Sequence, residues 1–149
     1  MKHTLQTVLD RSIDDVWRAF TNPENVPRWM PSLKSLEVKD GQGGEPGSVA
    51  RMVFLENGRE LVIDETVLTR REPFEFSARF DNQHGSNVVT NRFESQSGGQ
   101  TLWTLDAYFT FRGFLTRLLM PLFKGLFRKR LHDDCMRFKE KLESGALIT

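Results

Sequence analysis

GFLTRLLMPLFKGLFRKRLHDDCMRFKEKLES, residues 113–144, is the longest helix-patterned run in the sequence, and its reading decides the fold. Met120, Phe127, Leu131, Cys135, Phe138 and Leu142 recur at gaps of seven, four, four, three and four, which puts them in one stripe along a helix. Leu115, Leu118, Leu119, Leu122 and Leu126 form a second set that, at about 100° per residue, points nearly away from the first. The second half of the run therefore reads as an ordinary amphipathic helix, and the first half as apolar almost all round. A helix of that kind needs cover on both sides. A sheet can supply one cover; a ligand, a partner or a membrane surface must supply the other. Pro121 cannot donate to the carbonyl of Arg117, so it is expected to bend the helix or mark a new start, and Gly125 weakens the same region. A bend there would gate a cavity entrance.

Upstream of this run the pattern changes to period two. Residues 2–10 alternate loosely and predict a first strand. Ser12 is placed to cap a short helix in which Ile13, Val16, Trp17 and Phe20 share one face, with Asp14 and Asp15 at its positive end. Asn22-Pro23 ends it, and the three prolines of PENVPRWMP (23–31) allow only another turn or two of helix. Strands are expected over 33–39, 49–55, 61–69, 74–80, 88–94 and 101–112. The glycine-rich stretch 40–47, Asn57-Gly58, 70–73, 81–87 and SQSGGQ (95–100) separate them. Phe74, Phe76, Ala78 and Phe80 share one face, as do Trp103, Leu105, Ala107, Phe109 and Phe111. Strands joined by tight turns make an antiparallel sheet, and a long helix after them makes an α+β layer.

A chain of 149 residues fits one domain, 1–149. Hydrophobic content is 38% and charged content 28%, the balance of a globular chain rather than a disordered one. A net charge of +1 argues against a nucleic-acid partner held by bulk charge. Twelve Phe and three Trp beside a single Tyr suit a large apolar interior. The single cysteine, Cys135, excludes an internal disulfide and fits a reducing compartment. Residues 1–10 do not read as a signal peptide, and the greasiest run, 114–127, is interrupted by Arg117, Pro121 and Lys124. A cytoplasmic location is expected.

These residues bring the chain close to a known group. Ser12-Ile13-Asp14-Asp15-Val16-Trp17, then residues 22–31 (NPENVPRWMP), Gly47, Glu72-Pro73, Gly98-Gly99-Gln100-Thr101 and the Gly113-led helix resemble the START-like, or Bet v 1-like, superfamily, specifically its polyketide cyclase/dehydrase and lipid-transport group. The resemblance covers nearly the whole chain. It implies a helix-grip fold: a curved seven-stranded antiparallel sheet wrapped round the C-terminal helix, two short helices after the first strand, and a deep apolar cavity between sheet and long helix. It implies binding, transport or sensing of a hydrophobic small molecule such as a lipid or polyketide-like compound. A minority of relatives are cyclases or dehydratases, and others, like Hsp90 activators, use the fold as an adaptor for another protein. No catalytic motif is shared across the group, and fold does not give activity.

The cavity positions expected are Trp29, Met52, Phe54, Ile63, Glu65, Phe76, Phe93, Trp103, Leu119, Leu122, Phe123 and Phe127. Trp29 reads as a core plug more readily than as a ligand contact. The leucine set reads as ordinary core covered by loops and the Trp29 segment, as the mouth of a cavity, or as a surface for a membrane or a second subunit, flanked by Arg117, Lys124, Arg128, Lys129 and Arg130. Ionisable residues on strands are Arg51, Asp64, Glu65, Arg92 and Asp106. Glu65 shares parity with Leu61, Ile63 and Val67, which makes it the one candidate for a buried anchor or general base. The plainer reading, which the sequence favours, puts it near an open edge or against an arginine; Asp64 takes its place if the parity is reversed. His3, His84 and His132 are scattered, and the i, i+3 pair His132 and Cys135 falls partly on the buried stripe, so no metal or cofactor is expected. No phosphate loop and no nucleophile elbow is present. Two inward ionisable groups within reach of each other would favour an enzyme, a cavity lined by carbon a carrier, and a filled interior with exposed leucines an adaptor.

Overall fold

The computed structural model describes residues 1–147; residues 148 and 149, the end of the predicted domain, lie outside the described residues. In chain order the elements are β1 (Lys2–Leu9), α1 (Ile13–Thr21), a 3-10 turn (Pro23–Asn25), α2 (Val26–Trp29), β2 (Leu33–Asp40), β3 (Val49–Glu56), β4 (Arg59–Arg71), β5 (Glu75–Asn82), β6 (Gly85–Gln96), β7 (Gln100–Phe111), α3 (Phe114–Leu118) and α4 (Met120–Glu143). Every strand pairing is antiparallel, in the order β1-β7-β6-β5-β4-β3-β2. This is the antiparallel sheet and long closing helix expected from the strand pattern, in the helix-grip arrangement the resemblance implies, with two differences.

The first difference is in the closing helix. It is two helices, broken at Leu119, whose φ of −90° and ψ of 3° leave the helical region. Pro121 sits in the first turn of α4, where its missing N–H costs nothing, so it marks a new start rather than a bend. The second concerns Phe74. Residues 72–74 form the β4–β5 turn, so Phe74 stands outside the strand and is 53% exposed, while its carbonyl accepts from the Phe93 N–H at 2.8 Å.

Local chemistry sets the remaining boundaries. The Ser12 hydroxyl accepts from the Asp15 N–H at 3.3 Å and caps α1. Asn57 (φ 50°) and Gly58 (φ 76°) form the two-residue β3–β4 hairpin. At the start of β6 the backbone of Gly85 lies so close to β7 that an added Cβ would stand 2.2 Å from the Thr110 carbonyl oxygen. A methyl group there must push two paired strands apart. Gly85→Ala is expected to lower stability by about 2 kcal/mol, as overpacking does. Urea unfolding checks it, and an unchanged midpoint would contradict the packing.

The core lies where α1, α2 and the second half of α4 meet the concave face of β5, β6, β7 and β1. Phe138 and Leu142 of α4 are buried with Val16 and Trp17 of α1, Trp29 of α2, and Phe93 and Trp103 of the sheet. Phe20 stands at the centre of an aromatic group, 5.3 Å from Phe93, 5.7 Å from Phe138, 5.9 Å from Trp29 and Trp103 and 6.1 Å from Phe76 between ring centroids. The carbonyl of Trp29 accepts from Arg137 at 3.0 Å, which ties α4 to α2. Only Cys135, Phe138 and Leu142 of α4 are buried. The tightest grip is therefore on the back half of the helix; in the front half Phe127 reaches β7, 5.0 Å from Phe109 and 6.1 Å from Phe111 between ring centroids.

Candidate functional site

The space left by that arrangement is a cavity of about 730 Å³ between the concave face of β2–β7 and the α3–α4 segment. Its floor is aromatic: Phe20, Trp29, Phe76 and Trp103, so the core cluster is also the cavity's end wall. Alternation along the strands builds the sheet wall. Leu61, Ile63 and Glu65 come from β4, Ala50, Met52 and Phe54 from β3, and Phe76, Ala78 and Phe80 from β5. Ala50 and Ala78 place no more than a methyl group in the space. Phe123, Phe127 and Leu131 of α4 close the opposite side, and Leu115, Thr116 and Leu119 stand at the break. The rim, where lining residues become exposed, includes Val38, Leu115 and Leu119.

Of the twelve positions expected to face a cavity, ten line this one: Trp29, Met52, Phe54, Ile63, Glu65, Phe76, Trp103, Leu119, Phe123 and Phe127. Phe93 does not, because α1 covers it; its ring lies 6.2 Å from Trp17 and 5.3 Å from Phe20. Leu122 does not, because it is one residue before Phe123 on a helix and so points about 100° away. It is 73% exposed. The reading of the five leucines as covered core fails as well: all of them are exposed, Leu119 least at 42%. Trp29 is both plug and wall, 7% exposed and packed 5.3 Å from Phe138.

Glu65 faces the cavity between its cross-strand neighbours Ala50 and Phe80. The expected alternatives, an open edge or an arginine partner, do not hold: among the described residues no hydrogen bond or ion pair reaches its carboxyl. Burial alone pushes its pKa from 4.5 up to about 7. The other charged residues of the wall are all engaged. Arg70 lies 3.9 Å from Glu45, Asp134 accepts from Arg137 at 2.8 Å, and Arg130 pairs with Glu56 while lying over the Phe54 ring at 5.3 Å. Burial raises the Asp134 carboxyl, with Arg137 opposing. Among the described residues Glu65 is thus the one carboxyl of a largely apolar wall without a hydrogen-bond or ion-pair partner, about half protonated near neutral pH.

The remaining polar candidates lie elsewhere. Arg51 and Asp64 pair at 3.0 Å across β3 and β4, and Arg92 and Asp106 at 2.6 Å across β6 and β7, both on the outer face. Cys135 is buried and its thiol pushed up to about 12, so it is inert as a nucleophile. Among the described residues no three His, Cys, Asp or Glu side chains cluster as a metal site would require. Two asparagines were missed. Asn91 accepts from the Trp103 indole N–H at 3.0 Å and donates to the Phe76 carbonyl at 3.3 Å, which fixes the floor. Asn87 lies across Phe80 from Glu65, and its buried Oδ1 has no partner in the protein. Both share odd-number parity with Val89 and Phe93, a signal open to sequence reading.

A model of the family described as polyketide cyclase/dehydrase and lipid transport matches residues 1–143. The chain belongs to this family. No curated protein sequence matches it. Among solved structures it is similar to the protein TTHA0849 from Thermus thermophilus, with 16% identity over 97% of this chain and 99% of that one and a TM-score of 0.79. Ara h 8.0201 is similar at 14% identity over 97% and 98%, TM-score 0.77. A START superfamily protein from Mycobacterium smegmatis follows at 15% over 96% and 97%, TM-score 0.76. At such identities these likenesses speak for the fold alone. Family membership carries hydrophobic small-molecule binding as a general property.

Proposed function

We propose that the protein binds a hydrophobic small molecule in the cavity between its sheet and α4, as a carrier or sensor rather than as an enzyme. The observation that carries this is the pairing of a largely apolar space of about 730 Å³ with one carboxyl, Glu65, that has no partner among the described residues. The volume falls in the range of small-molecule sites, about 300–1,000 Å³. The apolar majority of the wall offers water few partners. A hydrophobe that takes water's place gains roughly 25 cal/mol for each Å² of apolar surface covered, before ordering costs. Glu65 orients the ligand: protonated it donates to a carbonyl or ether oxygen, ionised it accepts from a hydroxyl or amine. The other charged side chains of the wall, Arg70, Arg130 and Asp134, are already paired, which leaves Glu65 no ready acid–base partner among them.

Titration of an anthroyloxy-labelled fatty acid tests the proposal. Saturable binding at one site per chain is expected, with the label's emission shifted to the blue. Ile63→Trp, which adds an indole to the space, is expected to weaken binding at least about tenfold by steric conflict, with the melting temperature little changed. Binding of equal strength in this variant would place the ligand elsewhere and overturn the assignment.

A further inference from the structure

Six large apolar side chains lie exposed within thirteen consecutive positions: Phe114 at 81%, Leu115 at 68%, Leu118 at 63%, Leu119 at 42%, Leu122 at 73% and Leu126 at 63%. Patches of this kind mark interaction sites. Residues 112–131 also contain six cations, Arg112, Arg117, Lys124, Arg128, Lys129 and Arg130, and no acid. Arg112 faces Asp81 at 3.5 Å, Lys129 pairs with Asp133 and Arg130 with Glu56. Arg117, Lys124 and Arg128 have no ion pair among the described residues.

We infer that α3 and the first turns of α4 dock the protein on an anionic bilayer surface, with Phe114, Leu118, Leu122 and Leu126 entering the acyl boundary and Arg117, Lys124 and Arg128 meeting headgroup phosphates. Leu122 and Leu126 lie on α4 itself, but N-terminal to Cys135, Phe138 and Leu142 and on a face turned away from that stripe, so the patch can bury without disturbing the grip. No helix among the described residues is long and apolar enough to cross a membrane, so the segment lies on the surface. Charge decides the occupant. A second copy seated on the same face would bring together two segments that each carry six cations and no acid, a like-charge approach that opposes association. A protein partner needs directional polar contacts, about one hydrogen bond per 100–200 Å², whereas this patch offers hydrocarbon and flexible cations. A fluid anionic surface needs only those. Leu115 and Leu119 belong to both the patch and the cavity wall, so the docked face adjoins the cavity's rim.

Flotation of the 149-residue chain with vesicles tests this without reference to any cavity ligand. The chain is expected to float with phosphatidylcholine vesicles carrying about 30% phosphatidylglycerol, to bind pure phosphatidylcholine at least about tenfold less, and to be released by about 0.5 M salt. The Leu118→Ser/Leu122→Ser and Arg117→Glu/Arg128→Glu variants change exposed residues, so circular dichroism should match the parent, and each is expected to lower partitioning about tenfold or more. Leu55→Ser/Val62→Ser, on exposed side chains away from the patch, should change nothing. Absence of binding to anionic vesicles, or equal binding by all variants, overturns the inference. So does a solution dimer that the leucine variant dissociates and that does not float.

Discussion

Replacing Phe138 by alanine is expected to lower the unfolding free energy by about 4 kcal/mol, the middle of the range for a buried aromatic. Phe138 is fully buried, and its ring lies 5.2 Å from Trp103, 5.3 Å from Trp29 and 5.7 Å from Phe20. These are edge-on contacts between four rings drawn from α1, α2, α4 and β7, so one truncation loosens every element that fixes the cavity floor. Each such aromatic pair adds about 0.5–1.5 kcal/mol beyond the area it hides. The cluster is rigid on its core side, which limits collapse into the hole. In thermal unfolding the loss should appear as a fall on the order of 10 °C. Phe138→Leu should cost much less. A loss below about 1 kcal/mol for Phe138→Ala would mean that α4 is not held where these contacts place it.

Glu65→Gln should raise stability, and only on the alkaline side. The folded protein holds the Glu65 proton up to about pH 7, against 4.5 when the side chain is free in water. Because the folded-state pKa is the higher one, folding favours the protonated form. Stability is therefore highest below pH 4.5, falls as pH rises from there through 7, and levels off above. At about 1.36 kcal/mol for each pH unit between the two values, the penalty above pH 7 is about 3 kcal/mol. The amide carries no such penalty at any pH. Urea midpoints for parent and variant should nearly coincide at about pH 4.5 and separate steadily to about pH 8, the variant being the more stable. Other titrating groups are common to both proteins and cancel. Parallel curves would mean that the carboxyl finds a partner or free water in solution.

Much of the fold could be read from the chain, because the strands advertise themselves by period two and the turns by Asn57-Gly58, SQSGGQ and the glycine-rich 40–47 loop. The stripe of Cys135, Phe138 and Leu142 likewise reports the gripped half of α4, since a buried helix face has no other pattern. The rest was hidden for physical reasons. A cavity wall and a core face have the same alternation, so Met52 or Phe76 could be assigned to an inner face but not to a void. Phe93 has the parity of Trp103 and differs only in lying under α1, a tertiary fact. Leu122 and Phe123 are equally apolar neighbours, and the rotation of a helix restarted at Leu119 decides which one turns inward. Glu65 showed its parity but not its surroundings, and it is the paired state of Arg70, Arg130 and Asp134 that leaves it alone.

Native mass spectrometry of the chain produced in its own host, followed by solvent extraction and rebinding of what is released, tests the central claim most directly. The account predicts a discrete adduct above the 17.3 kDa chain, a hydrophobe in the extract, and rebinding of that compound that Ile63→Trp impairs. A bare chain mass, together with no uptake of fatty acids, sterols or aromatic polyketides supplied in vitro, would contradict it.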